Sequence, residues 1–459
     1  FGEIILLKKL FLICILYCRL TDANCQLNYF QQEVNYTIDV TLNDANNTLD
    51  GFEVINYTNH SPDTLNYIWF HLWPNAYKND RTAFSEQLLQ LGRTDFYFSD
   101  EEKRGYINRL DFKVDGATAS LEDHPLYIDV AKLILPKPLL PGETIKITTP
   151  FHEKIPFNFS RGGYVDKTYQ ITQWYPKPAV YDNAGWHPMP YLDQGEFYSE
   201  FGNFRVRITL PERYKVAATG TLISEENSDK KTPVESVPLQ NPAKTPPPKR
   251  IYKGVLNKKI SHLKVNEAKK ENIAAATNAT TMKTLTYEQN NVHDFAWFAD
   301  ENFIVKTDTM QLPSGRVIQL NAYYTQKGKD VWKNSIQFLK DAINTRSHWL
   351  GEYPYSTVTA VEAKMGFSGG MEYPTITSIF PMPDAKSLDV TIEHEVGHNW
   401  NYGILASNER QHPWLDEGVN TYFDHRYESL KYGAKDVKEK NKDFVAKKFP
   451  DDYADIVYR

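Results

Sequence analysis

From Gln26 to about Leu222, apolar and polar residues alternate in short runs. Tyr36-Thr37-Ile38-Asp39-Val40-Thr41-Leu42 and Phe204-Arg205-Val206-Arg207-Ile208-Thr209-Leu210 show the pattern most clearly. A period of two puts every second side chain on one face, so these runs predict strands with one buried side. Tyr67 to Trp73 reads the same way. Turn-forming clusters such as Asn46-Asn47, Asn59-His60-Ser61-Pro62 and Pro141-Gly142 separate the runs. From about Ser224 to Thr284 the periodicity gives way to lysine, glutamate, asparagine and proline runs with little to bury. We read that stretch as an insertion or long surface loop.

The period changes further on. Trp332, Ile336, Leu339 and Ile343 recur at helical spacing and predict an amphipathic helix over Lys329 to Leu350. Thr357 to Ala363 reads as an edge strand. Leu388, Ile392, Val396 and Trp400 recur every four residues and predict a second helix, followed by a third from Glu417 to about Tyr432. The expected organisation is therefore multidomain: an all-β sheet domain over residues 26–311, with its insertion at about 224–284, then a compact α+β module over 312–459.

Composition narrows the class. The formal net charge is −6, with no basic stripe, which argues against a nucleic-acid partner. All three cysteines, Cys14, Cys18 and Cys25, fall in the first 25 residues. There, Lys8 and Lys9 precede a short apolar run and then a polar stretch. That layout predicts a signal peptide over residues 1–25 and export to the periplasm, the surface or the medium. The run is too short for a spanning helix, so no stable membrane span is expected in the mature chain. A lipid anchor on Cys18 or Cys25 is a weaker alternative, because Tyr17 and Asn24 fit a lipobox poorly.

The chemistry concentrates in T-I-E-H-E-V-G-H, residues 391–398. On a helix, His394 and His398 stand one turn apart on one face, where two imidazoles can share a metal ion, and Glu395 leans over the same site. Eighteen residues separate His398 from Glu417, a candidate third ligand. Two histidines and a glutamate would leave zinc an open position for a reactive water. The bland reading is a surface helix that happens to carry two histidines. The apolar stripe beside them argues against it. Upstream, Gly369-Gly370-Met371-Glu372 admits two readings. It is either an ordinary glycine turn or a strand edge that lets a substrate backbone approach, with Glu372 pairing a peptide's terminal ammonium. His412 and His425 read as surface or supporting groups, and His71, His187 and His293 as structural ones.

Together, His394-Glu395-Val396-Gly397-His398, the distant Glu417 and the upstream Gly-Gly-Met-Glu resemble the M1 family of zinc aminopeptidases, gluzincins with a thermolysin-like catalytic domain. The resemblance covers the chain from about Gln26 onward. It implies that His394, His398 and Glu417 bind one Zn2+ and that Glu395 is the general base. It also implies that Glu372 holds the substrate's α-ammonium and that Gly369, Gly370 and Met371 line the edge where the peptide lies. The expected substrates are peptides with free N-termini. Two local departures stand out: Tyr373 replaces the family's asparagine, and Asn399-Trp400-Asn401-Tyr402-Gly403 replaces a Trp-Phe-Gly-Asn stretch. The family's transition-state tyrosine would lie beyond Arg459, so a fragment incomplete at its C-terminus is expected. Neighbouring possibilities are an M61-like glycyl aminopeptidase, an epoxide hydrolase on the same scaffold, and a non-catalytic zinc-retaining peptide-binding module.

Overall fold

The computed structural model describes residues 29–227, 281–364 and 369–433. The expected signal peptide, most of the expected insertion and residues 434–459 lie outside them.

The alternation becomes sheet. Strand Glu33–Asn43 buries Val34, Tyr36, Ile38, Val40 and Leu42 and turns the residues between them outward. It pairs antiparallel with Thr48–Thr58 on one side and parallel with Gly202–Pro211 on the other. These are central strands of a nine-stranded sheet that also takes in Thr144–Lys154, Met282–Val292 and Thr221–Asn227. The last two pair with each other, so the expected insertion joins neighbouring strands of one sheet. A four-stranded sheet around Leu65–His71 and Val130–Leu139 shares its core: Ile68, Phe70 and Leu133 are buried with Val34, Ile38 and Val206. The short helix α1, Ala83–Gln90, lies in this β-rich half.

A second body begins with a five-stranded sheet in the order Ile304–Gln311, Val317–Tyr324, Thr357–Glu362, Ile376–Ile379, Gly370–Met371. Two expectations change here. Ile304–Gln311, assigned to the β domain from the sequence, pairs along its length with Val317–Tyr324 and so belongs to this second sheet. Thr357–Glu362, expected at an edge, is a central strand with all six residues buried. Its polar residues have partners: Asn321 Nδ2 donates to the hydroxyls of Thr357 and Thr359 at 3.2 Å each, and Glu362 accepts from Thr325 at 2.7 Å. Among the described residues the edges are Ile304–Gln311 and, at the other end, the two-residue strand Gly370–Met371.

Three helices complete this body: α2 (Ser335–Leu350), α3 (Ala385–Asn401) and α4 (Glu417–Tyr432). The helix expected from Lys329 starts at Ser335, after a 3-10 turn over Trp332–Asn334. Buried Arg346 of α2 pins the other two, donating to Glu393 of α3 at 2.5 Å and Asp424 of α4 at 2.7 Å. Gly397 lets α3 and α4 close on each other. A Cβ there would lie 2.2 Å from Asn420 Oδ1 and 2.7 Å from the Arg346 guanidinium. Among the described residues no helix is long and apolar enough to cross a membrane.

Candidate metal centre and active site

Helix α3 carries the site because its sequence specifies where it starts and which side it buries. Asp384 caps it by accepting from the Ser387 N–H at 2.8 Å. Leu388, Ile392 and Val396 are fully buried along one stripe. That stripe sets the rotation of the helix, and His394 and His398 follow from it one turn apart. Glu417 opens α4, which packs against α3.

The three expected ligands converge. The Nε2 atoms of His394 and His398 are 3.2 Å apart, and Glu417 Oε2 lies 3.6 Å and 3.9 Å from them. Ligands held tetrahedrally by zinc at about 2.0–2.1 Å would sit about 3.3 Å from each other, so the cradle is close to the size zinc requires. Its electronics fit as well. His394 Nδ1 donates to Asp424 at 2.6 Å and His398 Nδ1 donates to Asp416 at 2.7 Å. A carboxylate only accepts, so both protons sit on Nδ1 and both Nε2 lone pairs point into the same small space. At 3.2 Å the two Nε2 atoms call for a cation between them, a shared proton or a metal ion. The surrounding charge favours one. Burial pulls His394 down, but Asp424 more than reverses this and carries the ring up to about 9. His398 is likewise driven well above its ordinary range by Asp416 and Glu372, against burial.

Glu395 is buried beside the cradle, and its carboxyl is pushed up to about 7, chiefly by burial and against the pull of the two histidines. It also explains Gly370. A Cβ on that residue would come within 2.1 Å of Glu395 Oε1. Among the described residues the strand Gly370–Met371 pairs only with Ile376–Ile379, on one side. Its other side belongs to a cleft of about 570 Å³ whose lining includes Gly369, Gly370, Met371, Glu372, His394, Glu395 and Glu417. Glu372 is buried at the cleft wall and raised well above the usual carboxylate range, first by burial and then by Glu196. All eight residues expected from the sequence therefore meet in one place.

Several others were not expected. Asp416 and Asp424 hold the histidines from behind. Asp424 lies two helical turns past Glu417, so its face was readable; its partner was not. Glu196 comes from the β-rich half, ion-paired with Arg161 through contacts of 2.6 Å and 2.8 Å. Glu409, between α3 and α4, brings a third carboxylate beside Glu196 and Glu372. Neither position has a local motif. The two departures also find roles. Tyr373 is buried and donates to Gln173 at 3.3 Å, while Asn399 accepts from the Thr375 N–H at 3.1 Å, tying α3 to the loop after Glu372. Elsewhere, buried His71 stacks on Trp73 and accepts from the Met189 N–H at 3.1 Å, and His293 packs against Tyr402.

Comparisons with known proteins agree with this geometry. No family model matches the chain. Over 67 residues it is 33% identical to leukotriene A-4 hydrolase of Xenopus laevis, and over 68 residues 35% identical to leucine aminopeptidase 2 of Coccidioides immitis. Each match covers 14% of this chain and 11% of the relative, so it spans only about a tenth of those proteins' length. Among solved structures, a two-domain M1 zinc metallopeptidase mutant bound to L-arginine matches with a TM-score of 0.53. An M1 zinc metallopeptidase from Deinococcus radiodurans matches with a TM-score of 0.54. Both are 15% identical, over 91% of this chain and 75% of theirs. At that identity the likeness concerns the fold: a β-rich domain followed by a metallopeptidase domain. The resemblance read from the motifs is borne out at that level.

Proposed function

On the fold of the M1 zinc metallopeptidases and the converging donor set, we propose that this protein is a zinc-dependent aminopeptidase. The observation that carries the reading is the position of Glu395, between the histidine cradle and the open strand Gly370–Met371. His394, His398 and Glu417 would hold the metal, with Asp424 and Asp416 fixing both imidazoles in the ligating tautomer. Zinc bound there supplies Lewis acidity to a water molecule and to the scissile carbonyl.

The chain's own residues do the rest. A peptide laid along Gly370–Met371 adds a strand to the sheet edge, since the absence of a side chain at Gly370 leaves room for Glu395 behind it. The Glu395 carboxylate takes the proton from the attacking water and passes it to the leaving amine. Burial holds its carboxyl above the usual carboxylate range, which suits both directions of transfer near neutral pH. Glu372 anchors the free α-ammonium, so cleavage falls one residue in. A module that only bound peptides would have no use for a base in this position. The export expected from residues 1–25 belongs to the same proposal and would place the enzyme among peptides outside the cytoplasm.

Paired aminoacyl-p-nitroanilides test the reading. We expect hydrolysis of the free-amine substrate by the zinc-loaded protein and little hydrolysis of its N-acetylated twin. Equal rates on both would remove Glu372 from its role and with it the exopeptidase assignment.

A further inference from the structure

The turn that follows Glu372 is built around a residue its backbone disfavours. Tyr373-Pro374-Thr375-Ile376 closes with the Ile376 N–H donating to the Tyr373 carbonyl at 3.0 Å. Proline second and a left-handed residue third is the layout of a type II turn, whose third position calls for glycine. Thr375 stands there with φ +62°. Of the described non-glycine residues with positive φ, it alone is β-branched. A glycine would take this conformation freely, so what threonine adds is its side chain. That side chain is used. Thr375 is fully buried, and its hydroxyl oxygen accepts from the Gly220 N–H of the β-rich half at 2.8 Å. Its own N–H donates to Asn399 Oδ1 of α3 at 3.1 Å, and its carbonyl accepts from the Thr359 N–H of the central strand at 2.8 Å.

Gly220 is itself held in place. A Cβ there would lie 2.3 Å from the Glu288 carbonyl oxygen. Thr219, just before it, exchanges hydrogen bonds with Ala296 at 2.9 Å and 3.1 Å. The β-rich half, the helix of the two histidines and the second sheet therefore meet on one residue just past Glu372. Glu372 needs such support. Its Oε1 meets no donor among the described residues, so its place depends on the backbone to either side. Upstream, Met371 is paired into the sheet opposite Ser378. Downstream stands the turn. We propose that Thr375 is a positioning residue for Glu372: its hydroxyl, anchored by Gly220, sets where that carboxylate stands at the cleft wall and thereby the affinity for the substrate's amino end. The proposal rests on the aminopeptidase reading, in which Glu372 takes the α-ammonium. Glu372 would hold that group before and during the reaction alike, so misplacing it weakens binding and spares the chemical step.

Three substitutions separate positioning from general damage. Thr375→Val keeps the shape but removes the oxygen that Gly220 binds. Thr375→Gly removes it too, while relieving the left-handed backbone. Thr375→Ser keeps it. The zinc-loaded full chain is titrated calorimetrically with L-alaninamide and with acetohydroxamic acid, which reaches the metal without an amino group. We expect the Val and Gly variants to bind the amide about tenfold more weakly and the hydroxamate unchanged. On L-alanine p-nitroanilide their KM should rise about as much, with kcat within about twofold. The Ser variant should match the unmodified protein. An undiminished amide affinity in Thr375→Val overturns the proposal, as does a Ser variant as weak as Val. So does an equal loss of both ligands, which would make Thr375 a purely structural residue. If the unmodified protein binds the amide but hydrolyses no anilide, the affinity series still decides the positioning role, and the aminopeptidase reading falls. An unmodified protein that does not bind the amide removes the role of Glu372 and the proposal with it.

Discussion

The two ends of the cleft are built on opposite terms. In the histidine cradle both Nδ1 atoms donate to aspartates, and Arg346 braces Asp424 from behind. The two Nε2 atoms face each other at 3.2 Å. In the acidic pocket Glu196 is paired with Arg161, but Glu409 and one oxygen of Glu372 lack donors among the described residues, and burial pushes both carboxyls well above the usual carboxylate range. Imidazoles oriented from behind by aspartates suit a resident ion that stays through many turnovers. A pocket left short of donors suits a cation that arrives with each substrate and leaves with each product. On the proposed reading, one cleft separates a permanent charge from a transient one, and Glu395 lies between them.

Substitutions can break that division of labour. The largest effect is expected from Glu395→Gln, which removes the base and leaves both ends intact. kcat should fall by about 10² to 10⁴, with zinc content unchanged by elemental analysis. Gly370→Ala should come next. Its methyl group would occupy the space of the Glu395 carboxylate, and displacing the base by about 1 Å can cost about 100-fold in kcat. The cleanest contrast pairs Asp416→Asn with Glu372→Gln. The first should weaken zinc affinity about 10- to 100-fold in a chelator competition while leaving the preference for free amines. The second should keep zinc and lose that preference. Asp424→Asn should cost less zinc than Asp416→Asn, because Asp424 is 13% exposed and Asp416 is fully buried.

The smallest effect is on pH. Glu395 acts as a base only when ionised, so kcat/KM should fall as pH drops through its pKa. Without the metal that pKa is about 7, and a bound cation lowers it, so the acid limb should have its midpoint at or below 7. A rate that rises on acidification from pH 7 would assign Glu395 the wrong role.

Legibility from sequence followed how local each constraint is. Glu33–Asn43 was readable because one of its faces meets the core and the other meets water. Thr357–Glu362 was misplaced because its threonines and glutamate suggest a wet face, whereas Asn321 and Thr325 satisfy them inside the sheet. His394, Glu395 and His398 were legible because one helix carries all three, and Glu417 because it lies within reach along the chain. Asp416 and Asp424 stood in the same stretch, but their role is defined by the far side of each imidazole, which a one-dimensional pattern does not display. Glu196 and Glu409 were out of reach. Only the packing of the β-rich half against the loop between α3 and α4 brings them to Glu372.

The division of labour itself can be seen directly by anomalous diffraction at the zinc edge on crystals grown with excess zinc. The account requires one peak, bounded by His394, His398 and Glu417, and none among Glu196, Glu372 and Glu409. An empty cradle, or a second peak in the acidic pocket, would contradict it.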